Sequence, residues 1–160
     1  QLWTFVLLFL LLTISYFDLK YNHIPEKLII STALIALCIN ISEISLTSWR
    51  EIGLELRNDL YTSLITLLVM ILIKMVAEKI INRKALGIGD VKLATVGGAF
   101  LGLKGIYIAM FIAFLISGIY SSIMLSKGYF KKFQSFAFAP FISFGILIVW
   151  IFGIEWWIQK

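Results

Sequence analysis

Long apolar runs separated by short polar stretches dominate the pattern of this chain. Six runs cover roughly residues 2–17, 28–42, 60–77, 91–103, 105–125 and 138–154. A helix needs about 20 apolar residues to cross the hydrocarbon core of a bilayer. The pattern therefore predicts an all-α fold, namely a polytopic membrane bundle of about six transmembrane helices that forms a single domain over residues 1–160. The fourth run is short and reaches the fifth through "GLKG" at 102–105, which predicts a tight hairpin there.

The composition agrees with a membrane protein. Hydrophobic residues make up 61% of the chain, and its mean hydropathy is +0.98. A soluble domain of this length could not bury so much apolar surface. The first run lacks a basic n-region and a cleavage site, so we expect a retained span and not a signal peptide. The one cysteine, Cys38, excludes an internal disulfide and a C-x-x-C metal site.

The charged residues predict the orientation of the chain. The net charge of +5 lies in short loops, so it indicates topology and not a nucleic-acid partner. The loops after spans one, three and five, with their flanks, hold ten basic residues: Lys20, Lys27, Lys74, Lys79, Arg83, Lys84, Lys92, Lys127, Lys131 and Lys132. The other side holds four: Arg50, Arg57, Lys104 and Lys160. The positive-inside rule then places residues 18–27, 79–90 and 126–137 in the cytoplasm and both termini outside the cell membrane.

Two aspartates fall on this predicted cytoplasmic side at one membrane depth. Asp18 ends the first span in "SYFDLKYNHIPEKL", and Asp90 opens the fourth in "GIGDVKL". A helix cap would explain Asp90 but not Asp18, because the dipole opposes a negative charge at a helix C-terminus. Two carboxyl groups that share a proton can activate water for hydrolysis. We therefore predict a catalytic pair in which, from the helix ends, Asp90 is the base and Asp18 the proton donor.

Small residues surround Asp90. Gly87 and Gly89 precede it and permit backbone conformations that other residues avoid. A ladder of small residues follows on the same helical face: Ala94, Gly98 and Gly102. Such a stripe lets a neighbouring helix approach closely. We therefore expect Gly98 to help bring another helix toward the carboxylate.

Taken together, these segments resemble the type IV prepilin peptidases, which are bacterial aspartic proteases of the inner membrane. The resemblance rests on an aspartate at the end of the first helix, "IP" at 24–25, "GIGDVKL" at 87–93 and "FAFAPFISFG" at 136–145. Presenilin-type proteases share the G-x-G-D tetrad, but the combination with D-x-x-x-x-x-I-P and "VKL" is that of the prepilin peptidases. The resemblance implies that Asp18 and Asp90 are catalytic. The positions with a structural role are Gly87, Gly89, Lys92 and Pro25, with Gly98 from the ladder and Pro140 near the start of the last span.

The resemblance also implies a reaction and its partners. Family members remove the short basic leader of prepilins or pseudopilins at the cytoplasmic membrane face, with the substrate helix in the bilayer and without a cofactor or metal. Larger members methylate the new N-terminus with a domain that carries paired C-x-x-C motifs; this chain has none, so we expect cleavage without methylation. An alternative stays open. A small membrane transporter or assembly subunit could use the same aspartates as a proton relay, although the last three spans offer few polar groups to continue it.

Overall fold

The computed structural model describes residues 2–43, 49–82, 86–129 and 136–152. Its regular elements there are five helices: α1 (Leu2–Tyr21), α2 (Glu26–Glu43), α3 (Trp49–Ile81), α4 (Ile88–Ser126) and α5 (Ala139–Phe152). The predicted all-α class is confirmed. Six separate spans are not, because the fourth and fifth apolar runs belong to the one helical element α4. Several residues behind the predicted orientation lie outside the described residues: Arg83, Lys84, Lys131, Lys132 and Lys160.

Helix α4 is interrupted at Gly102, whose φ of 68° and ψ of 176° are not helical. This region of backbone conformation is open almost only to glycine. The Ile106 side chain reaches to within 3.0 Å of the position that a Cβ on Gly97 would occupy. In a straight helix these two residues would be about 14 Å apart along the axis. The chain therefore folds back within "GLKG", as the short fourth run predicts, and α4 consists of two helices joined at a kink at Gly102.

The side-chain amide of Asn40 stabilises the break in α4. Its Nδ2 donates to the Ala99 carbonyl and to Oδ2 of Asp59, each at 3.0 Å. In an unbroken helix the Ala99 carbonyl would accept the N–H four residues later, just after Gly102. Asn40 supplies the lost donor and joins α2, α3 and α4 at one end of the bundle.

We expect Gly102→Ala to lower the thermal stability of the protein. An alanine Cβ at a φ of +68° costs about 1–3 kcal/mol of backbone strain. The matched control is Gly118→Ala, also in α4, because no other atom lies within 4 Å of its Cβ position and alanine favours a helix. Thermal unfolding in detergent measures both variants. Equal midpoints for Gly102→Ala and the wild type would contradict a glycine requirement at the break.

The buried face of α1 leads directly to Asp18. Leu7, Leu11 and Ile14 are at most 1% exposed, and Asp18 continues the stripe at 6%. Positions separated by three and four residues share one face of an α-helix. Because Asp18 lies on the face that packs into the bundle, its carboxylate is directed inward.

Helix α4 lies at the centre of the bundle and packs against α2, α3 and α5, while α1 packs against α2 and α5. Two glycines allow the close approach of α5. A Cβ on Gly97 would lie 2.7 Å from Ile146, and a Cβ on Gly145 would collide with the Ala109 carbonyl. This packing carries the start of α5 toward the start of α4.

Within the described residues, α4 is the one element that is long and apolar enough to cross a membrane, with a mean hydropathy of 2.2 over its most apolar window. Its 39 residues are not one straight helix, because the chain folds back at Gly102. Helix α5 is apolar but shorter. Length and composition therefore do not confirm six spans in the described structure.

Candidate active site

A cavity of about 660 Å³ opens at the end of the bundle where α1 and α3 end and α2, α4 and α5 begin. Asp18 and Asp90 both line it, and they are only 6% and 7% exposed. Gly87, Gly89 and Lys92 line it as well. The fold thus brings together the two predicted catalytic residues and three of the motif positions.

Asp90 is the third residue of α4 and folds back onto the turn before the helix. Its Oδ2 accepts a hydrogen bond from the Gly87 N–H at 3.2 Å, as a residue near a helix N-terminus can. Its Oδ1 is buried and has no hydrogen-bond partner among the described residues. A buried polar atom without a partner is costly. Capping therefore accounts for one oxygen of Asp90 and leaves the other for a proton or a water molecule.

Asp18 lies near the end of α1, but its partner comes from α5. Its Oδ2 accepts a hydrogen bond from the Ala139 N–H, the first residue of α5, at 3.0 Å. The first N–H groups of a helix have no intrahelical partner and carry partial positive charge. Pro140 follows in the first turn, where its missing N–H costs no helical hydrogen bond. Both aspartates thus accept an N–H at the start of a helix, so the difference between helix ends, on which the expected division of roles rests, is absent.

Gly87 and Gly89 are required for space and not for an unusual backbone. Gly87 has φ −68° and ψ 146°, which any residue adopts, and Gly89 does not have a left-handed φ. A Cβ on Gly87 would lie 2.9 Å from Asp90 Oδ2, and one on Gly89 would lie 3.1 Å from Ile24. The structural role predicted for both glycines therefore stays a prediction. Its expected reason, an unusual backbone conformation, is replaced by close contact with neighbouring side chains.

The turn between α1 and α2 is held against the start of α4. Ile24 packs on Gly89, and Pro25 directly precedes α2. Glu26 forms an ion pair with Lys92 of α4. The hydrogen bond and charge of Lys92 lower the pKa of the exposed Glu26 carboxyl below its ordinary value. These contacts fix the end of α1, and with it Asp18, beside the start of α4.

Gly98 lies away from the cavity and contacts α3. A Cβ on Gly98 would lie 2.6 Å from Oγ1 of Thr66, which is 7% exposed. The small-residue ladder therefore brings α3 close to α4, and not α1, which carries Asp18. The expectation that a helix approaches through Gly98 agrees with the fold, but that helix does not contribute an aspartate.

We expect Gly98→Leu to reduce cleavage at least about tenfold and to lower stability, because overpacking a close helix contact costs about 1–3 kcal/mol. The control is Leu101→Phe, a smaller enlargement on the same helix, which should retain more activity. Cleavage is measured per amount of folded protein. Full activity of Gly98→Leu would mean that the close approach of α3 is not needed.

Three groups at this site were not predicted as functional: Lys74 and Glu78 of α3, which line the cavity, and the Ala139 N–H. The sequence held one signal, a lysine inside the third apolar run. No local pattern indicates that the Ala139 N–H meets Asp18. In the described part of the chain, no group of three or more His, Cys, Asp or Glu side chains is arranged to hold a metal ion.

Comparison with known proteins places these residues in a family context. A segment of 73 residues is 34% identical to the "Prepilin leader peptidase/N-methyltransferase" of Bacillus subtilis (strain 168). This match covers 46% of the chain and 29% of that relative, so the chain spans less than a third of the relative's length. No solved structure matches the chain. The model of the type IV leader peptidase family matches residues 5–122, a range that includes both aspartates and the turn before α4. The chain therefore belongs to the type IV leader peptidase family.

Proposed function

We propose that this chain is an intramembrane aspartic endopeptidase that removes the short basic leader of type IV prepilins or pseudopilins. One observation carries the proposal: two buried aspartates, Asp18 and Asp90, meet at a single cavity although they are far apart in the sequence. Membership of the leader peptidase family supports a protease. The name of the Bacillus subtilis relative supports prepilins as the substrate class.

The two carboxyl groups act through one shared proton, because two neighbouring carboxylates do not readily ionise together. We assign that proton to Oδ1 of Asp90, the buried oxygen that has no partner in the described structure. Asp18, which accepts the Ala139 N–H, is then the base. This assignment reverses the one expected from the ends of α1 and α4 alone.

Cleavage then proceeds in two steps that use only water and the pair. First, Asp18 takes a proton from water, the water oxygen bonds to the scissile carbonyl carbon, and Asp90 donates its proton to the carbonyl oxygen. Next, the carbon–nitrogen bond breaks, Asp18 returns its proton to the leaving nitrogen, and a hydroxyl proton of the intermediate returns to Asp90. One water is consumed, and both carboxyl groups regain their starting states.

We further propose that the protein is a multi-pass protein of the cytoplasmic membrane, with the cavity at the cytoplasmic face and both termini outside. The described lysines of the predicted inner set support this side, since many lie at the helix ends around the cavity: Lys20, Lys27, Lys74, Lys79 and Lys92. Outward apolar side chains support the bilayer. Phe9 and Phe111 are each 68% exposed, and such surfaces are rare in water-soluble monomers.

Co-expression with candidate prepilins, followed by mass spectrometry of their N-termini, tests the proposed function. We expect leader removal by the wild type and none by the Asp18→Asn variant. Intact leaders with every candidate, combined with proton uptake into vesicles that depends on Asp18, would instead support the proton relay.

A further inference from the structure

Helix α3 contributes a cation to the cavity. Thr66 and Met70 form its buried face at 7% and 2% exposure, and Lys74 follows one turn later on that face. The Lys74 side chain is 22% exposed and lines the cavity beside Asp90. A lysine on an apolar helix ordinarily extends its ammonium group into the surrounding water. Lys74 instead lies on the same buried face of α3 as Thr66 and Met70, and its side chain lines the cavity.

Glu78 forms an ion pair with this lysine. Its Oε1 lies 3.9 Å from Nζ of Lys74, one turn further along α3, and it also lines the cavity. The order lysine then glutamate is the less favourable one for helix stability. Because exposed pairs of this kind contribute little, stabilisation of α3 alone does not explain two charges at the cavity.

The aspartate pair is the group that needs a nearby cation. Asp18 and Asp90 line one cavity, where their negative charges repel each other, and Lys74 lines the same cavity. A charge in a poorly solvated site is retained at low cost only when an opposite charge is near. Lys92 also lines the cavity, but its side chain is 44% exposed and hydrogen-bonded to Glu26, whereas the Lys74 side chain is 22% exposed and lies 3.9 Å from Glu78 without a hydrogen bond to it.

The close approach of α3 to α4 sets the position of Lys74. Gly98 admits Thr66 against α4, and Lys74 lies two turns beyond Thr66 on the same face of α3. The contact that makes Gly98 necessary therefore also carries the Lys74 ammonium toward the start of α4.

We propose that Lys74 is a positioning residue of the active site: its ammonium, at the cavity wall beside Glu78, is the counter-ion that keeps the Asp18–Asp90 pair in its singly charged, catalytic state. This inference rests on the proposed aspartic protease. It assigns to α3, which carries no residue of the sequence motifs, an electrostatic role in catalysis.

The pH dependence of cleavage tests the counter-ion. The charged and titratable groups that line the cavity from the described elements are Asp18, His23, Glu26, Lys74, Glu78, Asp90 and Lys92. Without the Lys74 cation, the pair should gain its second proton at higher pH. We therefore expect Lys74→Met to move the pH–rate profile to higher pH by roughly one unit and to lower kcat about tenfold with little change in KM. Lys74→Arg should restore both the profile and kcat.

The Glu78→Gln variant distinguishes the effect of the Lys74 charge from the effect of losing the Lys74–Glu78 ion pair. This variant breaks the same ion pair but leaves the cation, so its profile should move to lower pH, opposite to that of Lys74→Met. The control is Lys79→Met, which removes an exposed lysine of α3 that does not line the cavity, and its profile should not move. Equal losses in Lys74→Met and Glu78→Gln without a shift in pH, or an equal shift in Lys79→Met, would overturn the proposal.

A second measurement does not depend on cleavage. Infrared titration of the purified protein with carbon-13-labelled aspartate follows protonation of the pair without any substrate, and Asp18→Asn identifies its bands. We expect the same shift to higher pH in Lys74→Met. An unchanged titration in Lys74→Met would refute the counter-ion role, even if the wild type cleaves prepilins. A shifted titration in a protein that cleaves no prepilin would refute only the proposed substrate.

Discussion

Asp18→Asn and Asp90→Asn are each expected to abolish leader cleavage, with a loss of at least about 1,000-fold. Asparagine keeps the size of the side chain but can neither accept the proton of water nor donate one to the carbonyl oxygen. Each carboxyl group transfers a proton in both steps of the proposed reaction, so the loss of either stops the cycle. The measurement is the fraction of prepilin with a processed N-terminus, at matched levels of folded enzyme.

Asp59→Asn is the matched control for this pair. Asp59 accepts a hydrogen bond from Asn40 beside the break in α4, away from the cavity, so this variant should cleave at close to the wild-type rate. Near-normal processing by Asp18→Asn or by Asp90→Asn would exclude a two-aspartate mechanism. Loss of cleavage in all three variants would point to disturbed folding and not to chemistry.

Ala139→Pro is expected to reduce cleavage roughly 10- to 100-fold, because it removes the N–H that Asp18 accepts. Loss of one partner of a buried hydrogen bond costs about 1–3 kcal/mol. A proline in the first turn of a helix removes no helical hydrogen bond, so α5 itself should still form. The measurement is kcat on a prepilin peptide, with helix content checked by circular dichroism.

Ala139→Gly is the control, since it keeps the N–H and adds no atoms at a position that is 0% exposed. It should retain most of the activity. If Ala139→Pro and Ala139→Gly cleave equally well, the hydrogen bond from α5 does not contribute to the function of Asp18.

The two aspartates of the site could be predicted from local sequence, because each stands at the end of an apolar run. Leu7, Leu11 and Ile14 define the inward face of α1, and Asp18 lies on that same face. The turn before α4 can likewise be predicted. Asp90 lies three residues after Gly87, where its carboxylate can accept the Gly87 N–H. The sequence therefore singles out the two acids, but not the inward face of α1, since the outward Phe5 and Phe9 are as apolar as the inward residues.

The local pattern was less informative about the glycines and the break in α4. It indicated a reversal at 102–105 but not that Gly102 alone makes it, because the helical hydrogen bonding lost there is compensated by Asn40 from another helix. The glycines before Asp90 were expected to adopt unusual backbone conformations. Their real constraint is the approach of other side chains, Ile24 among them, which depends on packing.

By itself, the sequence determined the helical class and singled out the two acids as candidates, since both depend on residues within a few turns of one another. It did not determine the inward faces of the helices, because outward residues such as Phe5 and Phe9 are as apolar as the inward ones. Only the tertiary structure decided which groups surround those acids. The Ala139 N–H reaches Asp18 from 121 residues away, and Lys74 reaches the cavity because Gly98 lets α3 pack closely. The charge balance of a buried pair is a sum over every element packed around it, so it cannot be derived from either aspartate's own helix.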